Sequence, residues 1–308
     1  MLNSAIFQHI LVPFDNSDAS RRAAQIALQI AAALGSQVSF AYATTEFTNQ
    51  EDTKRTLEPA LSLARNAGVN VDTHVINGYT QSIAQAIAFD AEGSGCDLIV
   101  MGTHGREGLE RLLLGSIAER VTRVAHIPVM LVRPIQHADR YAPQITRILV
   151  AVDGSDLSNL ALHTANDLAH SLSASLEVIS IVPDVSISTG YGFAGGDYLP
   201  AIDVDRYASD LAANSQAVIS SALKQLGRAA LKPVQVNTSS VPAHGQRIAE
   251  AILLSAANLH ADLLVIGTHG RGGIEELLLG SVAQGVAHHA NIPVLLIRPN
   301  KQLTANNT

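Results

Sequence analysis

Short runs of apolar and β-branched residues alternate along the chain with longer stretches whose apolar positions recur every three or four residues. The first period is that of a buried strand and the second that of an amphipathic helix. Residues 8–13, 37–43, 70–75, 97–101 and 128–132 are predicted strands, and 17–34, 51–67, 80–92 and 116–125 predicted helices. In the first of these helices Ala24, Ala27, Leu28, Ala31 and Leu34 fall on one stripe. The pattern starts again, with strands at 146–152, 175–182, 233–239, 262–266 and 293–297 and helices at 156–172, 209–226, 246–258 and 281–290. Regular alternation of this kind predicts an α/β class built of βαβ units around parallel sheets.

The restart is also visible letter by letter. DLIVMGTHGR at Asp97–Arg106 returns as DLLVIGTHGR at Asp262–Arg271, an offset of 165. ILVPFDNSD at Ile10 pairs with ILVAVDGSD at Ile148, an offset of only 138, so the second half holds 27 extra residues. They fall after its second strand, near 183–209. The chain divides into a first domain at 1–134, a linker at 135–144, a second domain at 145–300 and a short tail at 301–308. Prolines at both ends of RPIQHADRYAPQ mark the linker.

Chemistry concentrates after the fourth strand of each half. Gly102 and Gly105 are followed by nine residues and then Gly115-Ser116; Gly267, Gly270, Gly280 and Ser281 repeat that G-x2-G-x9-G-S spacing. Glycines let backbone N–H groups come close to an oxyanion, and a helix start adds unpaired donors, so the pattern predicts a phosphate cradle. Met101 and Ile266 before the first glycine, and Ile117 and Val282 after the serine, join the candidate set. Ser116-x-x-Glu119 and Ser281-x-x-Gln284 also read as capping boxes, the competing structural explanation. Arg106 and Arg271 reach either phosphate or solvent, while His104 and His269 sit inside the turn as structural or phosphate-contacting groups. Asp15 and Asp153 end the first strands. Each could cap a helix or close an Asx-turn. If strands one and four flank the point where strand order reverses, each instead meets the glycine loop in one crevice.

GTHGREGLERLLLGSIAERV with IPVMLVRP, and its second copy, resemble the universal stress protein family in its tandem form. The resemblance implies two Rossmann-like (adenine nucleotide alpha hydrolase-like) domains, each a five-stranded parallel sheet of order 3-2-1-4-5. It further implies ATP, ADP or AMP at the ends of strands one and four, with Mg²⁺ carried by the phosphates. By position, Asp15 and Asp153 would contact adenosine, and Ala43 and Ile181 would lie beside adenine. The two glycine-serine sets would hold ribose and phosphates. Glu107 stands where the family often has Gly, and Ala243 replaces the glycine supplied by Gly78. The apolar fifth strands, exposed-edge hazards if left bare, would pair internally as a pseudo-dimer, with a homodimer of chains also compatible.

Composition narrows the function classes. A net charge of −7 with only 15% charged residues opposes nucleic-acid binding. The lone Cys96 and the lack of any long apolar run predict a cytoplasmic protein without disulfides or membrane partners. No G-x-x-x-x-G-K-[ST] or G-x-G-x-x-G motif occurs, and His288-His289 face different sides of a helix. With metal ligands and catalytic residues both unassigned, the sequence favours a nucleotide-binding regulatory protein. Its rivals are a slow ATPase or phosphotransferase and an interaction module with empty pockets. The extra segment, rich in glycine and aromatics at Gly190–Tyr198, is expected to form a lid over Asp153 and Gly267. Packing at a domain or subunit boundary is the alternative to the lid, disorder a third.

Overall fold

The structure, a computed structural model, describes residues 6–45, 50–79, 81–104, 114–134, 144–183, 204–228, 236–243, 247–270 and 279–298. Its first half runs β1 (His9–Pro13), α1 (Asp18–Leu34), β2 (Gln37–Thr44), α2 (Gln50–Ala67), β3 (Val71–Asn77), α3 (Ile83–Gly93), β4 (Leu98–Gly102), α4 (Ser116–Val124) and β5 (Val129–Val132). The second half repeats the order as β6 (Arg147–Ala151), α5 (Asp156–Leu172), β7 (Ser175–Val182), α6 (Val204–Arg228), β8 (Val236–Pro242), α7 (Ile248–Asn258), β9 (Leu263–Gly267), α8 (Ser281–His289) and β10 (Val294–Ile297). The expected linker at 135–144 and the tail lie almost wholly outside the described residues.

Ten strands form one sheet, ordered β3-β2-β1-β4-β5-β10-β9-β6-β7-β8. Each half keeps the 3-2-1-4-5 order, and the two halves join through their fifth strands, the internal pairing expected from the sequence. β5 and β10 pair antiparallel, with Val129 opposite Leu296, Met130 opposite Leu295 and Leu131 opposite Val294. The reason lies in the composition of those strands, VMLV and VLLI, which are buried on both faces. Met130 and Val132 enter the core under α1, α2, α5 and α6, whereas Val129 and Leu131 enter the core under α3, α4, α7 and α8. The helices cover the two apolar faces of each strand, and pairing with its equivalent closes the bare edge.

Local chemistry sets the helix ends. Ser17 and Ser155 cap α1 and α5, accepting from the N–H of Ser20 and Ser158, and Gly35 ends α1 in the left-handed conformation at φ 73°. The extra segment of the second half is placed differently from the sequence expectation. Residues 204–209 are the opening of α6, a 25-residue helix against 18 for α2. The buried positions Thr56, Leu57, Ala60 and Ala64 of α2 correspond to Val218, Ile219, Ala222 and Leu226 of α6. That is an offset of 162, so 24 extra residues precede the matched helix and three follow it. β8 runs Val236–Pro242, and the first predicted positions of that strand, 233–235, lie outside the described residues. The stretch 184–203, with its expected lid, lies outside the described residues.

Candidate functional site

β1 is hydrogen-bonded to β2 on one side and to β4 on the other, and β6 likewise to β7 and β9. Chain order reverses at these two strands, the place beyond whose carboxyl ends open α/β sheets bind ligands. In each half the strand leads into an aspartate. The Asp15 Oδ1 atom accepts from the Ser17 N–H at 3.0 Å and the Ser17 hydroxyl at 2.6 Å; Asp153 Oδ1 accepts from Ser155 at the same 3.0 and 2.6 Å. Both carboxylates therefore close Asx-turns, and the caps are the serines. The turn needs a left-handed residue, supplied by Asn16 at φ 67° and Gly154 at φ 84°.

In the second half the glycine turn meets the aspartate. A Cβ on Gly270 would stand 2.6 Å from Asp153 Oδ2, so only a bare α-carbon lets the turn lie against the carboxylate. A Cβ on Gly102 would come within 2.8 Å of Ala19 Cβ, and one on Gly267 within 3.1 Å of Leu157 Cγ, which presses β4 and β9 against the starts of α1 and α5. In the first half the Ser17 hydroxyl reaches the His104 carbonyl at 3.4 Å.

Gly115 and Gly280 are the N-caps of α4 and α8, and each donates its N–H to a turn carbonyl, Thr103 or Thr268, at 2.8 Å. Neither helix has a side-chain cap, because Ser116 and Ser281 are the first helical residues. The capping-box reading of Ser116-x-x-Glu119 and Ser281-x-x-Gln284 is thereby overturned. Four N–H groups open every helix, and a start with no side-chain cap at its N-cap residue suits an anion.

A cavity of about 610 Å³ occupies the crevice of the second half. Asp153, Ile181, Ile266 and Gly267 line it together with Gly270, Gly280, Ser281 and Val282. Arg271 lies outside the described residues. In the first half Asp15, Met101, Gly102, Gly115, Ser116 and Ile117 take the equivalent strand and helix ends, Met101 buried and Ile117 exposed. Gly105 and Arg106 lie outside the described residues.

Ala43 and Ile181 are placed by strand geometry. Val152 N–H donates to the Ile179 carbonyl at 2.8 Å, just past the end of β6. Ile181, two residues on, directs its N–H and C=O to the same side of β7, where β6 has run out. Phe14 and Ala41 make the same 2.8 Å bond in the first half and leave Ala43 in the same position.

The sequence reading missed the outer wall, to which α6 contributes Leu211, Asn214, Ser215 and Val218 and α7 contributes Ile248 and Ile252. Their apolar period was visible, but only the sheet order shows that these helices flank the crevice. His269 also lines the cavity, its Nδ1 3.1 Å from the Thr268 hydroxyl; the equivalent distance from His104 to Thr103 is 2.9 Å. Burial, reinforced by the positive charge of Arg298, holds the His269 pKa below its ordinary 6.5, so the ring is neutral at pH 7. Ala243 is buried where Gly78 stands in the first half, so its methyl is accommodated. Among the described residues no group of three or more His, Cys, Asp or Glu side chains could hold a metal ion, and no helix is long and apolar enough to cross a membrane.

Comparison with known proteins bears on the whole chain. The profile of the Universal stress protein family matches residues 6–133 and again 144–298. A universal stress protein of Mycobacterium tuberculosis is 32% identical over 205 residues, covering 66% of this chain and 62% of the relative. The matched stretch therefore spans less than two thirds of that protein's length. A universal stress protein of Bacillus subtilis is 32% identical over 152 residues, 49% of this chain and 98% of its own. Among solved structures, a universal stress protein from Archaeoglobus fulgidus superimposes with a TM-score of 0.65 at 18% identity, over 96% of this chain and 99% of its own. A protein of unknown function from Pseudomonas aeruginosa gives 0.69 at 21% identity, over 97% and 95%.

Proposed function

Because the chain belongs to the universal stress protein family, we propose that it is an adenine-nucleotide-binding regulatory protein whose second half holds ATP in the 610 Å³ cavity. One observation carries this reading: a single cavity joins the strand-end carboxylate of Asp153 to the uncapped start of α8 at Gly280-Ser281. The two ends of that cavity suit the two ends of a nucleotide.

At the α8 end, the first-turn N–H groups and the helix dipole would take the phosphates. Gly270 and Gly280 keep side chains out of that space. Mg²⁺ would arrive with the phosphates as their counter-ion. At the β7 end, Ile181 and Ile266 with Ile248 and Ile252 form apolar walls for a flat base, and the Ile181 N–H and C=O offer one donor and one acceptor to its edge. Asp153, between the two ends, would accept from a ribose hydroxyl. The first half carries the same apparatus at Asp15, Gly102, Gly115 and Ser116, and we assign it the same ligand. The regulatory reading rests on family membership and on a site fitted for binding.

The test is direct. Nucleotide released from the denatured purified protein is identified by mass spectrometry, and nucleotide-free protein is titrated with ATP, ADP and AMP while its melting temperature is followed. The proposal expects a saturable rise in melting temperature that Asp153→Ala and Ser281→Glu each diminish. No released nucleotide and no shift at millimolar ATP would reject it in favour of an interaction module. Turnover of about 1 per second or more, in the ordinary enzyme range, would reject the regulatory reading and leave the binding site standing.

A further inference from the structure

The wall of the second cavity contributed by α6 has no assigned purpose in phosphate or ribose binding. Asn214 lines the cavity there, as do Ser180 and Ile181 of β7. Its neighbour Ser215 is buried, donates to the Ser180 carbonyl at 3.3 Å and lies 2.8 Å from the Ser240 hydroxyl. Val218, one turn further, is buried in the core. Ser215 and Val218 fix this part of α6 against β7 and β8, so Asn214 is presented from a rigid support. Its carboxamide makes no hydrogen bond among the described residues, and it supplies both a donor and an acceptor.

A purine has two edges that such groups can read. If the main chain of Ile181 takes the N1/N6 edge of adenine, the edge left open is N6/N7, an amino donor beside a ring acceptor. An asparagine carboxamide matches that edge with two hydrogen bonds, its C=O accepting from N6 and its NH₂ donating to N7. Guanine presents two acceptors at the same place and would set its O6 against the carboxamide oxygen.

Resting on the nucleotide reading of this cavity, we infer that Asn214 is a specificity-determining residue that selects adenine at the second site by reading its N6/N7 edge. The first half differs at this position. At the offset of 162 that aligns the buried faces of α2 and α6, Asn214 corresponds to Asp52. A carboxylate accepts but does not donate, so the first site has no group here for N7.

The experiment uses the full chain carrying Ser116→Glu, an exposed position at the start of α4 where a negative charge repels phosphate from the first site. ATP and 7-deaza-ATP, which lacks only the N7 acceptor, are titrated by calorimetry into this chain and into the same chain with Asn214→Ala. We expect ATP to bind roughly tenfold tighter than 7-deaza-ATP, the effect of about one hydrogen bond. Asn214→Ala should bring the ratio to near one, weakening ATP by more than 7-deaza-ATP, which loses only the bond to N6. A ratio near one in the Ser116→Glu chain, or a ratio unchanged by Asn214→Ala, overturns the role of Asn214 and leaves the nucleotide site in place. No binding of either nucleotide, in this chain or in the unsubstituted protein, overturns the site and the inference together. The reverse chain, Ser281→Glu with the first site open, should bind the two nucleotides equally; discrimination there would contradict the assignment to α6.

Discussion

The two halves of this chain agree at the strand ends and part company at the helices. Asp15 and Asp153 make the same Asx-turn with the same distances, and α4 and α8 both begin uncapped behind a glycine. By contrast, α6 is seven residues longer than α2 and lines a cavity with side chains that α2 does not repeat. Even the shared turn is tightened unequally. A Cβ on Gly115 would lie 2.4 Å from the Thr103 oxygen, whereas one on Gly280 would lie 3.0 Å from the Thr268 oxygen. The turn backbone is tied to strand ends and helix starts and has changed little between the halves, while the helical walls have diverged.

That contrast can be broken most severely at the glycines. Gly115→Ala forces backbone apart and should destabilise the protein by about 3 kcal/mol, against about 1 kcal/mol for Gly280→Ala, where a few tenths of an ångström suffice. Chemical denaturation of the two variants measures the difference; equal losses would show that the tighter first turn is not real.

The seam between the halves gives the next effect. Arg133 Nη2 donates to the His288 carbonyl at the end of α8, and the Arg133 carbonyl accepts from Arg22 Nη1 at 2.8 Å. Its counterpart Arg298 is buried, and its Nε and Nη2 have no hydrogen-bond partner among the described residues. Burial lowers the Arg298 pKa to about 10. Arg133→Met should cost about 2 kcal/mol by orphaning a helix-end carbonyl. Arg298→Met should be neutral or stabilising by about 1 kcal/mol, since it removes an uncompensated buried charge. Equal losses from the two would remove the asymmetry.

The smallest effect is a pH dependence confined to the first half. His74 Nε2 lies 2.8 Å from Asp90 Oδ2, where the second half has Ser239 and Ser255. The hydrogen bond to Asp90 is the main reason the His74 pKa is raised; burial opposes it, and the charges of Asp90 and Asp72 add to it. A raised folded value means that the protonated form is favoured on folding. Its stabilisation is complete below the ordinary 6.5 and is lost as pH rises through the raised value. His74→Gln should therefore cost up to about 1 kcal/mol in mild acid and progressively less as pH rises above neutrality. A cost that grows with pH would contradict the ion pair.

Much of this arrangement could be read from the letters. The repeat of DLIVMGTHGR as DLLVIGTHGR placed the two glycine turns, and FDNSD with VDGSD placed the two aspartates, because both are short local motifs tied to strand ends. What escaped was set by distant contacts. The cap at α4 depends on where the helix starts relative to Thr103, so Ser116 looked like a cap and is the first helical residue. The place of Asn214 in the cavity wall needed the position of α6 against β7, which its period alone does not give. The split of the extra residues around α6 appeared only once burial aligned Leu57 with Ile219.

The most direct test is a crystal structure of the full chain grown with saturating Mg²⁺ and a non-hydrolysable ATP analogue. The nucleotide is expected in the cavity of the second half, its phosphates within about 3 Å of the N–H groups that open α8 and its base against Ile181. A cavity holding only solvent while the analogue saturates the crystal, or a nucleotide bound away from Asp153 and Gly280, would contradict it.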